Sequence, residues 1–372
     1  MSKKHKILIA VGGTGGHLFP AQSLARDLLS KDGDVELLFA GAGLSANHYF
    51  HKEQFSFRDI TSATPFRGNI LAAGKQILNG VQSGIKLIKE FQPDLVIGFG
   101  SFHSFPLLAA AVCKKVPYLL FEPNAIPGKV NRLFSRWAET TAVQFSHAGV
   151  GLKGEMVEVA MPLIRTPVDR KSAHAHFGLK PDLPTLLVFG GSQGAAAINR
   201  VFCEAAALLK PPLQIIHITG RKGDLEQVKR GYALLDLPVC VKEFEEKMSY
   251  AYSAADLAVC RAGALTLAEL IAYELPSILI PYPFATDDHQ RRNAEVMERE
   301  IHGARLLLES ELNPVRLATL LQELFVKGER EKMQDALRQF KKQKEQGTLS
   351  DLVWKLLRQS AILPPSSQSA LR

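Results

Sequence analysis

The chain has 372 residues, enough for two domains of ordinary size. Hydrophobic residues make up 46% and charged residues 22%, with no low-complexity tract, which excludes a disordered or fibrous chain. The net charge of +8 is spread along the chain and fits an anionic partner, whereas the lack of a basic-plus-aromatic run argues against a nucleic-acid groove.

The first residues, Met1-Ser-Lys-Lys-His-Lys6, are basic, but the apolar run Ile7–Val11 stops at Gly12. That run is too short for a signal sequence, and no apolar segment is long enough to cross a bilayer. The expectation is a cytoplasmic protein, held at most at a membrane surface. Cys113, Cys203, Cys240 and Cys260 form no Cys-x-x-Cys pair and sit among apolar neighbours, which predicts buried, reduced thiols.

In chain order, Lys6–Val11 reads as a buried strand, Gly12-Gly-Thr-Gly-Gly-His17 as the turn after it, and Pro20–Leu29 as a helix. Val35–Ala40 is a second strand. Ile70–Lys89 has helical periodicity. Asp94–Gly98 is a third strand, followed by the glycine turn Gly98-Phe-Gly-Ser101. Pro117–Phe121 is a fourth, ending at Glu122-Pro-Asn124. The pattern restarts after a proline- and charge-rich link, Pro162–Asp182. Thr185–Phe189 leads into Gly190-Gly-Ser-Gln-Gly194 and a helix, Ala195–Leu209. Gln214–Ile218, Val239–Val241, Leu257–Cys260 and Ser277–Ile280 are further strands. Thr348–Leu357 reads as a helix that could pack back on the N-terminal half, and Leu363–Arg372 as disordered.

Apolar strands alternating with helices predict parallel α/β sheets covered on both faces. The two glycine loops share one grammar: each follows the first strand of its half and carries a hydroxyl, Thr14 or Ser192, where a helix cap belongs. Two similar domains in tandem are expected, facing each other across a cleft, with ligands at the carboxyl ends of their strands.

Neither loop is a dinucleotide fingerprint. Leu18 takes the third glycine position, and the second strand ends Phe39-Ala-Gly41, without an acid for an adenosine ribose. No Walker lysine follows either loop. The stretch Arg261-Ala-Gly-Ala-Leu-Thr-Leu-Ala-Glu269 is more informative. A strand, a glycine turn and a helix start, Leu265–Tyr273, favour a phosphate through free N–H groups and the helix dipole. Glu269 cannot bind phosphate, but it can accept two hydrogen bonds from a ribose diol. An ordinary βα turn with a solvated glutamate remains the alternative on these residues alone.

Jointly, several motifs resemble one family. They are Gly12–His17, Glu122-x-Asn124 with Pro127-Gly128 and Asn131, Gly190-Gly-Ser-Gln-Gly-Ala195, Arg261–Thr266 with Glu269, and Asp288-His-Gln290 with Asn293-Ala294. In this order, from about residue 5 to about residue 340, they are similar to the MurG family of N-acetylglucosaminyltransferases. The resemblance implies the GT-B fold, two Rossmann-like domains around a cleft. It implies an acceptor and membrane-associating domain at 1–165 and a UDP-sugar donor domain at 166–340. A C-terminal helix and tail then follow at 341–372. The implied reaction is inverting: the muramoyl 4-hydroxyl of lipid I, undecaprenyl-diphospho-N-acetylmuramoyl-pentapeptide, attacks UDP-N-acetylglucosamine, giving lipid II. No cofactor or metal is implied, and the sequence has no Asp-x-Asp pair in a strand-end setting.

The implied roles follow by position. Glu269 holds the uridine ribose, and Ala264, Leu265 and Thr266 meet the diphosphate. Ser192 and Gln193 face sugar or phosphate, and Gln290 reaches the sugar hydroxyls. Thr14, Gly15, Gly16 and Asn124 close on the donor from the other domain. Arg165 matches a family arginine, but Pro162-Leu-Ile-Arg165 is one residue longer than the usual spacing. Glu245 stands where many members carry an apolar residue against uracil, so either its contact would be through the backbone or the backbone register differs there. Phe121 replaces a common histidine, and Gly98–Pro106 departs from the usual acceptor loop.

His17, in the first glycine loop, reads as positioning the acceptor diphosphate, as the base for the attacking hydroxyl, or as a helix cap. Glu122 is the competing base, or else a carboxylate bonded to its own loop. His103 is a weaker candidate, and His174, His176 and His302 read as surface residues. Leu71, Ile77, Leu78, Val81, Ile85 and Ile88, interleaved with Lys75, Lys86 and Lys89, suit an anionic leaflet or an ordinary packed helix. With a lipid-linked acceptor, the expected location is the cytoplasmic face of the plasma (inner) membrane, peripherally bound. Two rivals stand beside this reading: another enzyme of the fold, such as a UDP-sugar 2-epimerase, and a non-catalytic sugar-nucleotide-binding protein of cell-wall synthesis.

Overall fold

A computed structural model describes residues 4–31, 34–62, 70–163, 166, 168–210, 212–222, 224–325, 328–344 and 347–362. Internal packing divides the chain into two compact units. One comprises Met1–Leu163 with Lys344–Arg372, the other Ile164–Gln343.

The first unit runs β1 (His5–Ala10), α1 (Gly15–Lys31), β2 (Val35–Gly41), β3 (Phe57–Asp59), α2 (Ile70–Phe91), β4 (Leu95–Gly98), α3 (Phe105–Lys114), β5 (Tyr118–Glu122), α4 (Lys129–Phe134), β6 (Thr140–Val143) and β7 (Met156–Glu158). Its sheet has the order β3-β2-β1-β4-β5-β6-β7, and every pairing is parallel. Ile7–Val11 is fully buried, which is why this strand reads as one unbroken apolar run. Leu8, Ala10, Val96 and Leu120 pack with Leu107, Leu108 and Ala111 of α3 and with Phe134 of α4.

The second unit runs α5 (Arg170–Phe177), β8 (Thr185–Phe189), α6 (Ala196–Ala206), β9 (Gln214–Ile218), α7 (Leu225–Tyr232), β10 (Val239–Lys242), α8 (Met248–Ala254), β11 (Leu257–Cys260), α9 (Ala264–Ala272), β12 (Ser277–Leu279), α10 (His289–Arg299), β13 (Ala304–Leu306), α11 (Pro314–Phe325) and α12 (Glu329–Lys344). Its sheet, β10-β9-β8-β11-β12-β13, is also parallel throughout. Val188, Ile215, Val259 and Ile278 form its core with Ile198 and Phe202 of α6 and Leu317 and Leu321 of α11. Both units are Rossmann-like, as the alternation of strands and helices predicts.

Several expectations are corrected. The first helix begins at Gly15, five residues before Pro20, so His17 lies in its first turn and not in the loop. The link Pro162–Asp182 contains α5, capped by Asp169 accepting from Ser172 N at 2.9 Å. Ser192 does not cap α6, whose N-cap is Ala195 without a side-chain bond. His174 is fully buried: its ring bonds the Arg170 carbonyl at 2.7 Å and the Thr185 hydroxyl at 3.0 Å. Only Cys260 is buried, while Cys113 is exposed and Cys203 and Cys240 are half-buried. In α2 the buried face is Ala73, Gly80, Gly84, Leu87 and Ile88, with Gly84 against Ala110 of α3. Leu78 is exposed, and Ile77, Val81 and Ile85 are half-buried. Leu71 as a side chain, Arg165 and Leu363–Arg372 lie outside the described residues. No described helix is long and apolar enough to cross a membrane.

The last helix, α13 (Leu349–Ile362), belongs to the first unit. It packs on α1, and Trp354 meets the His5 ring edge-on at 5.9 Å. Thr348 and Asp351 cap it reciprocally, the Thr348 hydroxyl donating to Asp351 at 2.6 Å and accepting from its N–H at 3.1 Å. Val353 and Leu357 are buried. Leu357→Ala is therefore expected to destabilise the first unit by about 2–4 kcal/mol. Denaturant unfolding followed with probes in each unit should show the first unit's transition move and the second's stay.

Candidate active site

In a parallel sheet, a crevice opens outside the carboxyl ends of two neighbouring strands whose connections run to opposite sides. In the first unit the strand order reverses between β1 and β4, where Ala10 pairs with Gly98. In the second it reverses between β8 and β11, where Phe189 pairs with Cys260. The glycine segments 12–16, 98–101, 190–194 and 261–263 therefore all leave the sheets at switch points.

In the first unit, Gly12 leaves no room for a side chain: a Cβ there would lie 2.6 Å from the Cβ of His103. Gly13 has φ +91°. Asn47 Nδ2 donates to the Gly13 carbonyl at 2.7 Å, and the Thr14 carbonyl accepts from His17 N and Leu18 N. Thr14 is exposed, while Gly15, Gly16 and His17 are half-buried in the first turn of α1. His103, the weaker candidate from sequence, packs against this loop with Nδ1 3.5 Å from Ser101 Oγ. Burial pushes its pKa down, favouring the neutral ring.

Glu122 ends β5 and is 2% exposed. Its Oε1 accepts from Asn124 N at 3.0 Å and Asn124 Nδ2 at 3.1 Å. Its Oε2 accepts from Gly128 N at 2.8 Å and Asn131 Nδ2 at 2.9 Å. Burial raises its pKa, while these donors oppose the rise. A carboxylate has about four acceptor positions, and all are occupied here by the loop that carries Asn124 and by Asn131 of α4.

In the second unit, the Gly190–Gly194 loop lies on the turn after β9. The Ser192 and Gln193 carbonyls accept from Arg221 N at 3.2 Å and Lys222 N at 3.1 Å. Gly220, at φ +81°, is so close that a Cβ would sit 2.2 Å from Gly194 Cα. A buried polar chain holds this turn: Asn199 Nδ2 donates to the Thr219 carbonyl at 3.0 Å. Asn199 Oδ1 meets His217 Nε2 at 3.1 Å, and Tyr232 lies 2.7 Å from His217 Nδ1. Burial lowers the His217 pKa to about 3, so the ring is neutral. Ser192 is half-buried and Gln193 exposed.

Glu245 is buried, but its carboxylate is committed within the unit. It accepts from Lys242 Nζ at 2.6 Å and Lys247 N at 2.9 Å, and meets His176 Nε2 at 2.9 Å. Burial opposes its ionisation, yet the Lys242 and His176 bonds outweigh burial and bring the pKa down to about 2.

Helix α9 starts at Gly263, which supplies no side-chain cap to the N–H groups of Ala264, Leu265 and Thr266. Arg261 braces the turn through the Ile280 and Pro281 carbonyls, both at 3.1 Å, and Asn293 Nδ2 donates to the Ala262 carbonyl at 3.1 Å. Gln290 Oε1 accepts from Tyr282 N at 3.0 Å, tying the start of α10 to the loop after β12. Glu269 is half-buried in the second turn of α9, where Tyr252 donates to its Oε2 at 2.7 Å. Burial raises its carboxyl to about 7 against that hydrogen bond. Among the described residues no group of three or more His, Cys, Asp or Glu could hold a metal ion.

The sequence matches the glycosyltransferase family 28 N-terminal domain over residues 7–143 and its C-terminal domain over 185–348. The chain is 39% identical over 361 residues to the UDP-N-acetylglucosamine–N-acetylmuramyl-(pentapeptide) pyrophosphoryl-undecaprenol N-acetylglucosamine transferase of Protochlamydia amoebophila, covering 95% of this chain and 96% of that protein. The transferase of the same name from Chlamydia pneumoniae is 36% identical, covering 96% of this chain and all of that one. The crystal structure of Acinetobacter baumannii MurG superposes with a TM-score of 0.77 at 26% identity, over 95% of this chain and 99% of that one. The chain belongs to the MurG family. Its two Rossmann-like units are those of the GT-B fold; the N-terminal family 28 domain falls in the first unit and the C-terminal one in the second, apart from its last five residues, 344–348.

Two outcomes follow for this MurG-family site. Glu122→Ala strands four hydrogen bonds' donors in a buried loop and should cost about 3 kcal/mol or more, read by denaturant unfolding. Glu269 has a folded pKa raised above its unfolded value, so its contribution to stability is full below the unfolded pKa and is lost as pH rises through about 7. Glu269→Gln should therefore melt higher than wild type at about pH 8, with the difference vanishing near about pH 4.

Proposed function

We propose that the chain transfers N-acetylglucosamine from UDP-N-acetylglucosamine to the muramoyl 4-hydroxyl of lipid I, with inversion, to give lipid II. The observation that carries this reading is the uncapped start of α9 at the β8–β11 switch point, with Glu269 one turn further on. Uncapped N–H groups and the helix dipole are suited to a diphosphate, and a carboxylate in the next turn to a ribose diol. As the glycosidic bond breaks, negative charge grows on the departing UDP. The N–H groups of Ala264, Leu265 and Thr266 stabilise that charge without reorganising.

Ser192 and Gln193 contact sugar or phosphate, and Gln290 turns its amide nitrogen to the sugar hydroxyls while its oxygen holds Tyr282 N. Glu245 offers uracil its backbone. Thr14, Gly15, Gly16 and Asn124 bind substrate from the first unit, and Arg165 is retained as a donor contact. With all four acceptor positions of Glu122 filled, we assign it to holding Asn124 in place, and His17 to taking the proton of the attacking hydroxyl. The proposed division is an acceptor and membrane domain at 1–165, a donor domain at 166–340 and a terminal segment at 341–372. No metal or other cofactor enters this mechanism. Peripheral attachment to the cytoplasmic face of the plasma membrane would use the exposed Leu78 with Lys75, Lys86 and Lys89 of α2.

The test is transfer of labelled N-acetylglucosamine from its UDP donor to a short-chain lipid I analogue. Wild type should form the disaccharide product. Glu269→Ala should raise the donor KM at least ~10-fold, as loss of hydrogen bonds to a charged group predicts. His17→Ala should lower kcat ~100-fold or more with the donor KM little changed. Donor turnover without acceptor and no disaccharide would move the assignment to a UDP-sugar epimerase. No donor binding would reject the reading.

A further inference from the structure

The carboxylate that the proposed function places on the ribose is not free to choose its orientation. Tyr252, in α8, is 3% exposed and donates its hydroxyl to Glu269 Oε2 at 2.7 Å. The Tyr252 ring is itself clamped. It stacks on Tyr273 with centroids 5.2 Å apart and meets Phe189, the last residue of β8, edge-on at 5.9 Å. Glu269 Oε1 has no hydrogen-bond partner among the described residues, and Oε2 has one position left. A ribose diol needs two acceptor positions held in one plane, and this arrangement leaves them available.

We propose that Tyr252 is the positioning residue of the donor site: its hydroxyl fixes the plane of the Glu269 carboxylate and keeps its outer acceptor positions turned to the two hydroxyls of a nucleoside ribose. The inference rests on the donor-site reading above. Its second consequence concerns protonation. A hydroxyl donor favours the charged carboxylate, and here it opposes the burial that raises Glu269 to about 7. The other titratable groups facing the pair are Cys260 at the end of β11 and Tyr273 just beyond α9. Burial raises the pKa of the Cys260 thiol, and neither a thiol nor a phenol can become a competing cation. Tyr252 is thus the group that keeps Glu269 able to accept from the ribose near neutral pH. Ribose binding takes the ionised form, so it releases a proton, and donor affinity rises with pH through about 7 before levelling.

Tyr252→Phe removes the hydroxyl and keeps both ring contacts. Binding of UDP-N-acetylglucosamine, measured by calorimetry between about pH 6 and pH 9, should weaken ~5–10-fold near neutral pH and recover as pH rises. The midpoint of the affinity–pH curve should move to higher pH than in wild type, with the KM for the acceptor and the melting temperature little changed. In a Glu269→Gln background there is no carboxylate to orient or ionise, so adding Tyr252→Phe should change neither affinity nor its pH dependence. An unchanged pH profile in Tyr252→Phe overturns the proposal. So does a loss that is equal at every pH, or one that persists undiminished in the Glu269→Gln background. Failure of the underlying reading looks different: wild type would not prefer UDP to 2′-deoxy-UDP, and Glu269→Gln would bind the donor as wild type does.

Discussion

The constraint on which the rest depends is the all-parallel pairing of both sheets. Parallel strands cannot be joined by hairpins, so most connections cross a face of the sheet as an α-helix, β2–β3 and β6–β7 being the exceptions. The first strand of each unit lies inside its sheet, β1 between β2 and β4, and β8 between β9 and β11. Successive connections must then diverge, and the loops at their roots border open crevices. The glycine segments 12–16, 98–101, 190–194 and 261–263 each leave a strand beside one of these points. The candidate site residues lie on short loops and helix starts, while Leu95–Gly98, Thr185–Phe189 and Leu257–Cys260 beneath them are buried throughout.

Charge is handled by different means in the two units. In the first, Glu122 is buried among four donors and organises a loop. In the second, Glu245 is locked by Lys242 and His176, whereas among the described residues Glu269 has only Tyr252. The pKa of Glu245 falls to about 2, and that of Glu269 rises to about 7. A carboxylate with every acceptor position filled by its own chain is a structural element. One with vacant positions beside an uncapped helix start is suited to a ligand. Hydrogen-bond completeness separates these glutamates more sharply than burial does.

The legibility of the fold followed the strength of local signals. Long apolar runs such as Ile7–Val11 and Thr185–Phe189 announce buried strands, and the glycine clusters after them announce turns. The strands that sequence reading passed over, β3, β6, β7 and β13, have only three or four residues and lie toward the sheet edges. Such short strands owe their existence to a neighbour already in place. His174 reads as a surface histidine in a short stretch rich in polar residues, Arg170-Lys-Ser-Ala-His-Ala-His176, yet the Thr185 hydroxyl and the Arg170 carbonyl give its ring partners and allow it to be buried. The start of α1 was misplaced because glycines at 15 and 16 signal a loop, although first-turn N–H groups need no partner from the helix itself.

By itself, the sequence determined the alternation of strands and helices, the two glycine loops, and the family to which the motifs belong. These depend on residues close together in the chain, whose spacing is visible without a fold. Only the tertiary structure decided which carboxylate is filled and which is open, because the partners of Glu122, Glu245 and Glu269 come from other elements or loops. His103 against Gly12, Asn47 on the Gly13 carbonyl, and Tyr252 on Glu269 are contacts between segments 17 to 91 residues apart. No periodicity records such pairs, because the sheet brings them together after the local pattern has done its part.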